Sequence, residues 1–183
     1  MKENQGSMDA RNYEAKATLK DGRGVIIRGI RPDDKAMIKA AFQHLSSQSI
    51  YQRFFSTKST LTEAELKWGA EVDFEKTVAL VVELDEGPQL AIIGGGRYIE
   101  YDGEDAVRTA EIAFTVEDEF QGKGIGKLLM KHLTFIARAK GVTRFEAFVL
   151  TMNKGMLRVF SSSGLPMKTE NLGSEIRVVL SLE

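Results

Sequence analysis

No cysteine occurs among the 183 residues of the chain, which excludes disulfides, thiolate-bound zinc and a thiol nucleophile. Histidine is almost as scarce. His44 and His132 are too few and too far apart in sequence for a histidine-rich metal site, so no metal is expected. No run approaches the roughly 20 apolar residues that span a bilayer. The opening residues, Met1 to Ser7, lack the apolar centre of a signal peptide. A basic excess is missing too: the net charge is −1, which argues against wholesale nucleic-acid binding. With 43% hydrophobic and 28% charged residues, the composition is that of a soluble domain large enough for a sizeable core. A cytoplasmic enzyme or binding domain is the expectation, without membrane or nucleic-acid partners.

The most informative stretch is 107–140. Residues 107–116 alternate and are rich in β-formers, which predicts a strand, and Glu117 to Phe120 make a short polar connection. Then Gly122, Gly124 and Gly126 open a segment with apolar residues at Ile125, Leu128, Leu129, Leu133 and Ile136, one face of a helix that Gly141 stops. The first N–H groups of a helix lack partners within it, and the macrodipole leaves that end partly positive. Glycines there let an anion approach the main chain, so the stretch is built like a phosphate cradle. It is not the nucleotide P-loop, because Gln121 stands where the first glycine should be and Leu128 where Ser or Thr should be. Nor is it the dinucleotide fingerprint, whose glycine spacing differs.

Around this centre, residues 1–18 read as a flexible tail and 19–183 as a single domain. A first strand is expected over 23–30. Asp33 or Asp34 would cap a helix reaching about Leu45 with Met37, Ile38, Ala41 and Phe42 inward. Thr62 and Glu65 form a capping box for a helix over 62–72. Strands are expected at 77–84 and 89–100, joined by a turn at Glu86-Gly87-Pro88. The run Gly94-Gly95-Gly96 suggests a bulge or a close backbone approach. A turn at Asp102-Gly103 leads into the central strand. After the helix, a strand over 143–150, a helix over 153–162 and two strands around 171–174 complete the chain. The strand–helix–strand unit predicts a parallel crossover, and the short turns elsewhere predict antiparallel pairing. The fold class is α+β: a mixed, mostly antiparallel sheet with helices on both faces.

Gln121-Gly-Lys-Gly-Ile-Gly126, after a strand and before a helix, resembles the pyrophosphate loop of the GNAT superfamily of N-acetyltransferases. The element order over residues 23–183 resembles that family's plan too. More narrowly, the chain is similar to the acetyltransferase domain of bacterial Pat-type protein lysine acetyltransferases. The shared runs are Leu45–Phe55, Glu111-Ile-Ala-Phe114 with the glycine loop, and Phe145-Glu-Ala-Phe-Val-Leu150 followed by Asn153. The resemblance implies acetyl-CoA as co-substrate and a central pair of parallel strands that splay apart to hold its pantetheine. Its contacts would be the backbone of Phe114, Thr115 and Val116, the loop Gln121, Gly122, Lys123, Gly124, Ile125, Gly126 and Lys127, and Asn153. Lys123 and Lys127 are either phosphate contacts or solvated first-turn lysines. The resemblance reaches the acetyltransferase part only, not the regulatory domain that Pat-type enzymes usually carry.

Acetyl transfer to an amine needs a neutral nitrogen, whereas a lysine ammonium has a pKa of about 10.4. Glu111 is the expected general base, a carboxylate in a partly dry notch, and its bland alternative is a structural pair with Arg97 or Arg108. The N–H of Phe114 or a neighbour is the expected donor to the thioester oxygen. Many relatives have a tyrosine acid where this chain has Phe160, so that acid does not carry over; Tyr51 is a weak substitute. His44 and His132 are expected as helix-face residues, and Met130, Met152 and Met156 as core fillers, with Met156 near enough to Asn153 to touch the cofactor. Glu100, Asp102, Glu104, Asp105, Glu117, Asp118 and Glu119 either attract a cationic acceptor or are solvated turn residues. Phe54, Phe55 and Trp68 line an acceptor groove or the core. The acceptor is a protein lysine, an acyl-CoA synthetase being one such protein, or else a small amine. A non-catalytic acyl-CoA sensor is the reading from another class.

Overall fold

The computed structural model describes residues 8–85, 90–102 and 107–183, with Asp102 by its backbone alone. The expected turns at 86–88 and at 103, and the acidic residues Glu104 and Asp105, lie outside the described residues. Strands β1 (Glu14–Thr18), β2 (Gly24–Gly29), β3 (Thr77–Leu84), β4 (Ile92–Asp102), β5 (Arg108–Val116), β6 (Arg144–Leu150), β7 (Met167–Asn171) and β8 (Glu175–Ser181) form one sheet. Its order is β1-β2-β3-β4-β5-β6-β8-β7, and β5 with β6 is the parallel pair. Helices α1 (Lys35–Gln43), α2 (Ser47–Phe54) and α3 (Glu63–Ala70) lie between β2 and β3 in sequence; α4 (Ile125–Ala139) and α5 (Lys154–Ser161) flank β6.

Directly opposed residues of neighbouring strands share a face. Tyr98, Ile112, Phe114, Phe145 and Ala147 therefore point one way, and all are buried. Helix α4 covers them with Leu129, Leu133 and Ile136, and Gly96 lets it approach, since a Cβ there would stand 3.1 Å from the Leu133 side chain. The opposite face carries Arg97, Glu111, Ala113, Glu146 and Phe148, with α1 set against β4 and α2 against β5. The core is apolar under α4, whereas the face under α1–α3 mixes charged side chains with buried apolar ones such as Phe42, Ile50 and Leu66.

Strands β5 and β6 pair only at Thr109, Ala110 and Glu111 opposite Arg144, Phe145 and Glu146. Beyond that point β5 keeps its pairing to β4 as far as Val116, and β6 keeps its pairing to β8 as far as Leu150. The two strands diverge into the expected notch.

Several expectations need correction. Residues 8–18 are not a loose tail: Ala10–Asn12 is a 3-10 turn capped by Asp9, and the alternating Glu-Ala-Lys-Ala-Thr run pairs with β2. Asp34 gives no side-chain cap to α1, because its carboxylate accepts from the Arg31 N–H and pairs with Arg28. Residues 47–54, given no element from sequence, form α2, capped by Ser46. Met152 is 57% exposed rather than a core filler, since it sits in the turn after β6. The bulge lies opposite Val82 and Glu83, beside the glycine run rather than within it.

Candidate functional site

The glycine loop places three glycines for two different reasons. Gly122 and Gly124 have φ of +75° and +102°, a region that disfavours a Cβ. Gly126 is ordinary in φ, but a Cβ there would stand 2.9 Å from the Val159 side chain of α5. Close helix packing, not access for an anion, requires that glycine. Gly124 is the N-cap of α4 and no side chain caps it; Leu128 is the residue whose N–H bonds back to the Gly124 carbonyl. The N–H groups of Ile125, Gly126 and Lys127 therefore have no acceptor within a helix of 15 residues.

The rest of the loop is tied down. Gln121 donates its side-chain amide to Ser49 Oγ (3.1 Å) and the Val116 carbonyl (3.2 Å), and its N–H to the Asp118 carbonyl. Gln121 thus fixes the loop to α2 and β5. Lys123 is pinned as well: its carbonyl accepts from the Lys20 N–H, and its ammonium lies 3.2 Å from Asp21. Arg23 and, less strongly, Lys123 hold the Asp21 carboxyl well below the usual carboxylate range. Lys127 is exposed on the first turn.

Along β5, hydrogen bonding alternates between the two neighbours. The Glu117 N–H goes to the Ile93 carbonyl on the β4 side, while the Arg108 carbonyl accepts from the Thr143 N–H on the β6 side. By this alternation the main chain of Phe114 and Val116 faces the notch, that of Thr115 faces β4, and the Ile112 N–H is spent on β6 at the last paired position. Of the three backbone positions expected to meet pantetheine, two thus lie on the open side of β5 and Thr115 on the paired side. The Phe114 side chain is buried on the other side, 5.8 Å from Phe160, itself buried.

Glu111 stands at the last paired position, level with Glu146 of β6. The two carboxylates have separate fates. Glu146 is buried and bonded to Arg177 (2.7 Å). Glu111 has no hydrogen bond or ion pair among the described residues, and it is exposed rather than held in a dry notch. The structural pairs foreseen for it do not form: Arg108 is taken by Glu100, and Arg97 stacks its guanidinium 3.7 Å from the Trp68 ring centroid.

Asn153 caps α5, its side-chain oxygen accepting from the Met156 N–H at 3.0 Å. It lines a cleft of about 260 Å³ with Ser49, Gln52, Gln121 and Lys154, between α2 and the turn after β6. The polar face of α2 is the part of this site that sequence reasoning missed, although Ser46 is a residue type that favours an N-cap.

Among the described residues, three of the acidic side chains are structural. Glu117 is buried, pushed up by that burial, and hydrogen-bonded to His44. Asp118 accepts from Ser46 and Ser49 at the start of α2, and Glu100 pairs with Arg108. Among the described residues no group of three or more His, Asp or Glu is placed to hold a metal ion, and no helix is long and apolar enough to cross a membrane.

The sequence profile of the acetyltransferase (GNAT) family matches residues 38–165. Acetyltransferase Pat of Mycolicibacterium smegmatis is 34% identical over 155 residues, 85% of this chain and 45% of that protein. Acetyltransferase PA5475 of Pseudomonas aeruginosa is 29% identical over 76% of this chain and 73% of its own length. Among solved structures, the GNAT domain of S. lividans PAT superposes with a TM-score of 0.81 at 29% identity, covering 92% of this chain and 96% of that one. The chain spans less than half the length of the Pat acetyltransferase it matches.

Proposed function

The chain belongs to the acetyltransferase (GNAT) family, and from that premise we propose that it transfers the acetyl group of acetyl-CoA to a lysine side chain of a protein. The observation that carries the reading is Glu111, a carboxylate without a partner among the described residues, at the point where β5 and β6 part. The pyrophosphate of acetyl-CoA takes the free N–H groups of Ile125, Gly126 and Lys127, and Lys127 adds charge at the first turn. Gln121 and Lys123 act by fixing the loop. Pantetheine runs along the notch against the main chain of Phe114 and Val116, with the amide nitrogen of Asn153 turned to its other side.

With the thioester at the closed end of the notch, the amine nitrogen attacks the carbonyl carbon. A proton leaves the nitrogen for Glu111, directly or through one water, and the C–S bond breaks to release the CoA thiolate. The N–H of Phe114 supports the oxygen as charge gathers there. Because Glu111 is exposed, water is excluded by the acceptor and acetyl-CoA themselves. Holding thioester and amine together supplies much of the acceleration.

The likeness to Pat proteins supports a protein acceptor. The test is incubation with radiolabelled acetyl-CoA, a panel of acyl-CoA synthetases and a panel of small amines. Label on a synthetase lysine is the expected result; label on small amines alone rejects the protein acceptor, and heat of acetyl-CoA binding without any label identifies a sensor.

A further inference from the structure

Most arginines drawn into this fold have anions: Arg28 has Asp34 and Glu83, Arg108 has Glu100, and Arg177 has Glu146 and Glu170. Two do not. Arg53 on α2 and Arg97 on β4 are each half-buried, and neither has a hydrogen bond or ion pair among the described residues. The Nε of Arg97 is buried without an acceptor, and the indole of Trp68 covers its guanidinium at 3.7 Å from the ring centroid. Burial brings Arg97 down to about 10, and the charge of Arg53 pushes in the same direction. Burial lowers Arg53 too, and the field of Glu111 opposes it. By register Arg97 and Glu111 lie on the same face of the sheet, the one opposite α4, and α2, which carries Arg53, is set against β5, which carries Glu111.

This neighbourhood is where the acceptor amine must arrive. Two guanidiniums stripped of part of their water and given no anion are costly, and they repel an approaching ammonium. A carboxylate carried by the acceptor removes both costs. It bonds to guanidinium N–H groups in a fork geometry that a carboxylate fits, and it leaves Glu111 facing the amine alone.

We infer that Arg53 and Arg97 form a carboxylate-binding subsite in the acceptor groove, so that the lysine acetylated is one with an acidic side chain beside it. The inference rests on the protein-lysine reading, and the experiment separates the two. Two blocked tetrapeptides are compared, Gly-Glu-Lys-Gly and Gly-Gln-Lys-Gly. The acidic peptide is expected to be acetylated with kcat/KM about tenfold higher, the scale of one charge-assisted pair. Arg97→Gln and Arg53→Gln each bring that ratio towards one without moving the KM for acetyl-CoA. Arg97→Lys, which keeps the charge and loses the fork, gives an intermediate ratio.

A second readout needs no turnover. Trp68 is the sole tryptophan of the chain and touches Arg97, so its fluorescence reports an anion arriving there. The acidic peptide shifts the emission, the neutral one does not, and Arg97→Gln abolishes the response. Acetylation of both peptides at equal rates, with equal fluorescence responses, overturns the subsite and leaves the lysine reading standing. A fluorescence response to the acidic peptide with neither peptide acetylated keeps the subsite and removes the lysine reading.

Discussion

Two side chains distinguish the chemistry of the site from the stability of the fold. Glu111 lacks a structural partner among the described residues, so replacing it should leave the fold intact. Glu111→Gln is expected to bind acetyl-CoA with the heat of the parent protein and to lose about 100-fold or more in turnover, the usual reach of a positioned base; calorimetry and initial rates check both halves. His132 is the opposite kind of residue. Its Nδ1 lies 2.5 Å from the Tyr13 hydroxyl, and burial, with a smaller push from Lys131, keeps it below its ordinary value. A histidine lowered by folding binds fewer protons in the native state than in the unfolded one. Its contribution is therefore complete above the unfolded pKa of about 6.5 and is lost as pH falls towards the folded value. Thermal midpoints measured from pH 8 to pH 5 should fall more steeply for the parent than for His132→Gln.

At the level of elements, the loop and α4 depend on contacts that lie on α5. Gly126→Ala should cost about 1–3 kcal/mol through overpacking against Val159. Val159→Ala in the same chain should restore part of it, read from denaturant midpoints. The sequence showed the loop because three glycines and an amphipathic helix are local signals. It showed the bounds of β3 and the capping box at Thr62 and Glu65 for the same reason. Three things were not legible. The short alternation of β1 gains meaning only from pairing with β2, so residues 14–18 read as tail. The jobs of Gln121 and Asp118 come from the placement of α2, an element without a long apolar period. The freedom of Arg53 and Arg97 depends on which carboxylates other arginines have taken, a matter of three dimensions alone.

For the molecule as a whole, a buried ion cluster lies on strands other than those of the notch. Arg28 bonds to Asp34 at 2.8 Å and Glu83 at 2.6 Å, joining β2, β3 and the turn before α1 with all three residues buried. Arg28→Ala leaves two carboxylates buried without their cation, and a loss of about 3–5 kcal/mol is expected by chemical denaturation. The notch has the reverse character. Three residue pairs are all that stitch β5 to β6 directly, so the sheet consists of two leaves sharing a short spine. Pantetheine laid between them would serve as a missing plank, tied to the first leaf by amides that otherwise exchange with solvent. Deuterium uptake at Phe114 and Val116 should slow when CoA is added, while Ile112, already bonded to β6, and Thr115, already committed to β4, should scarcely respond.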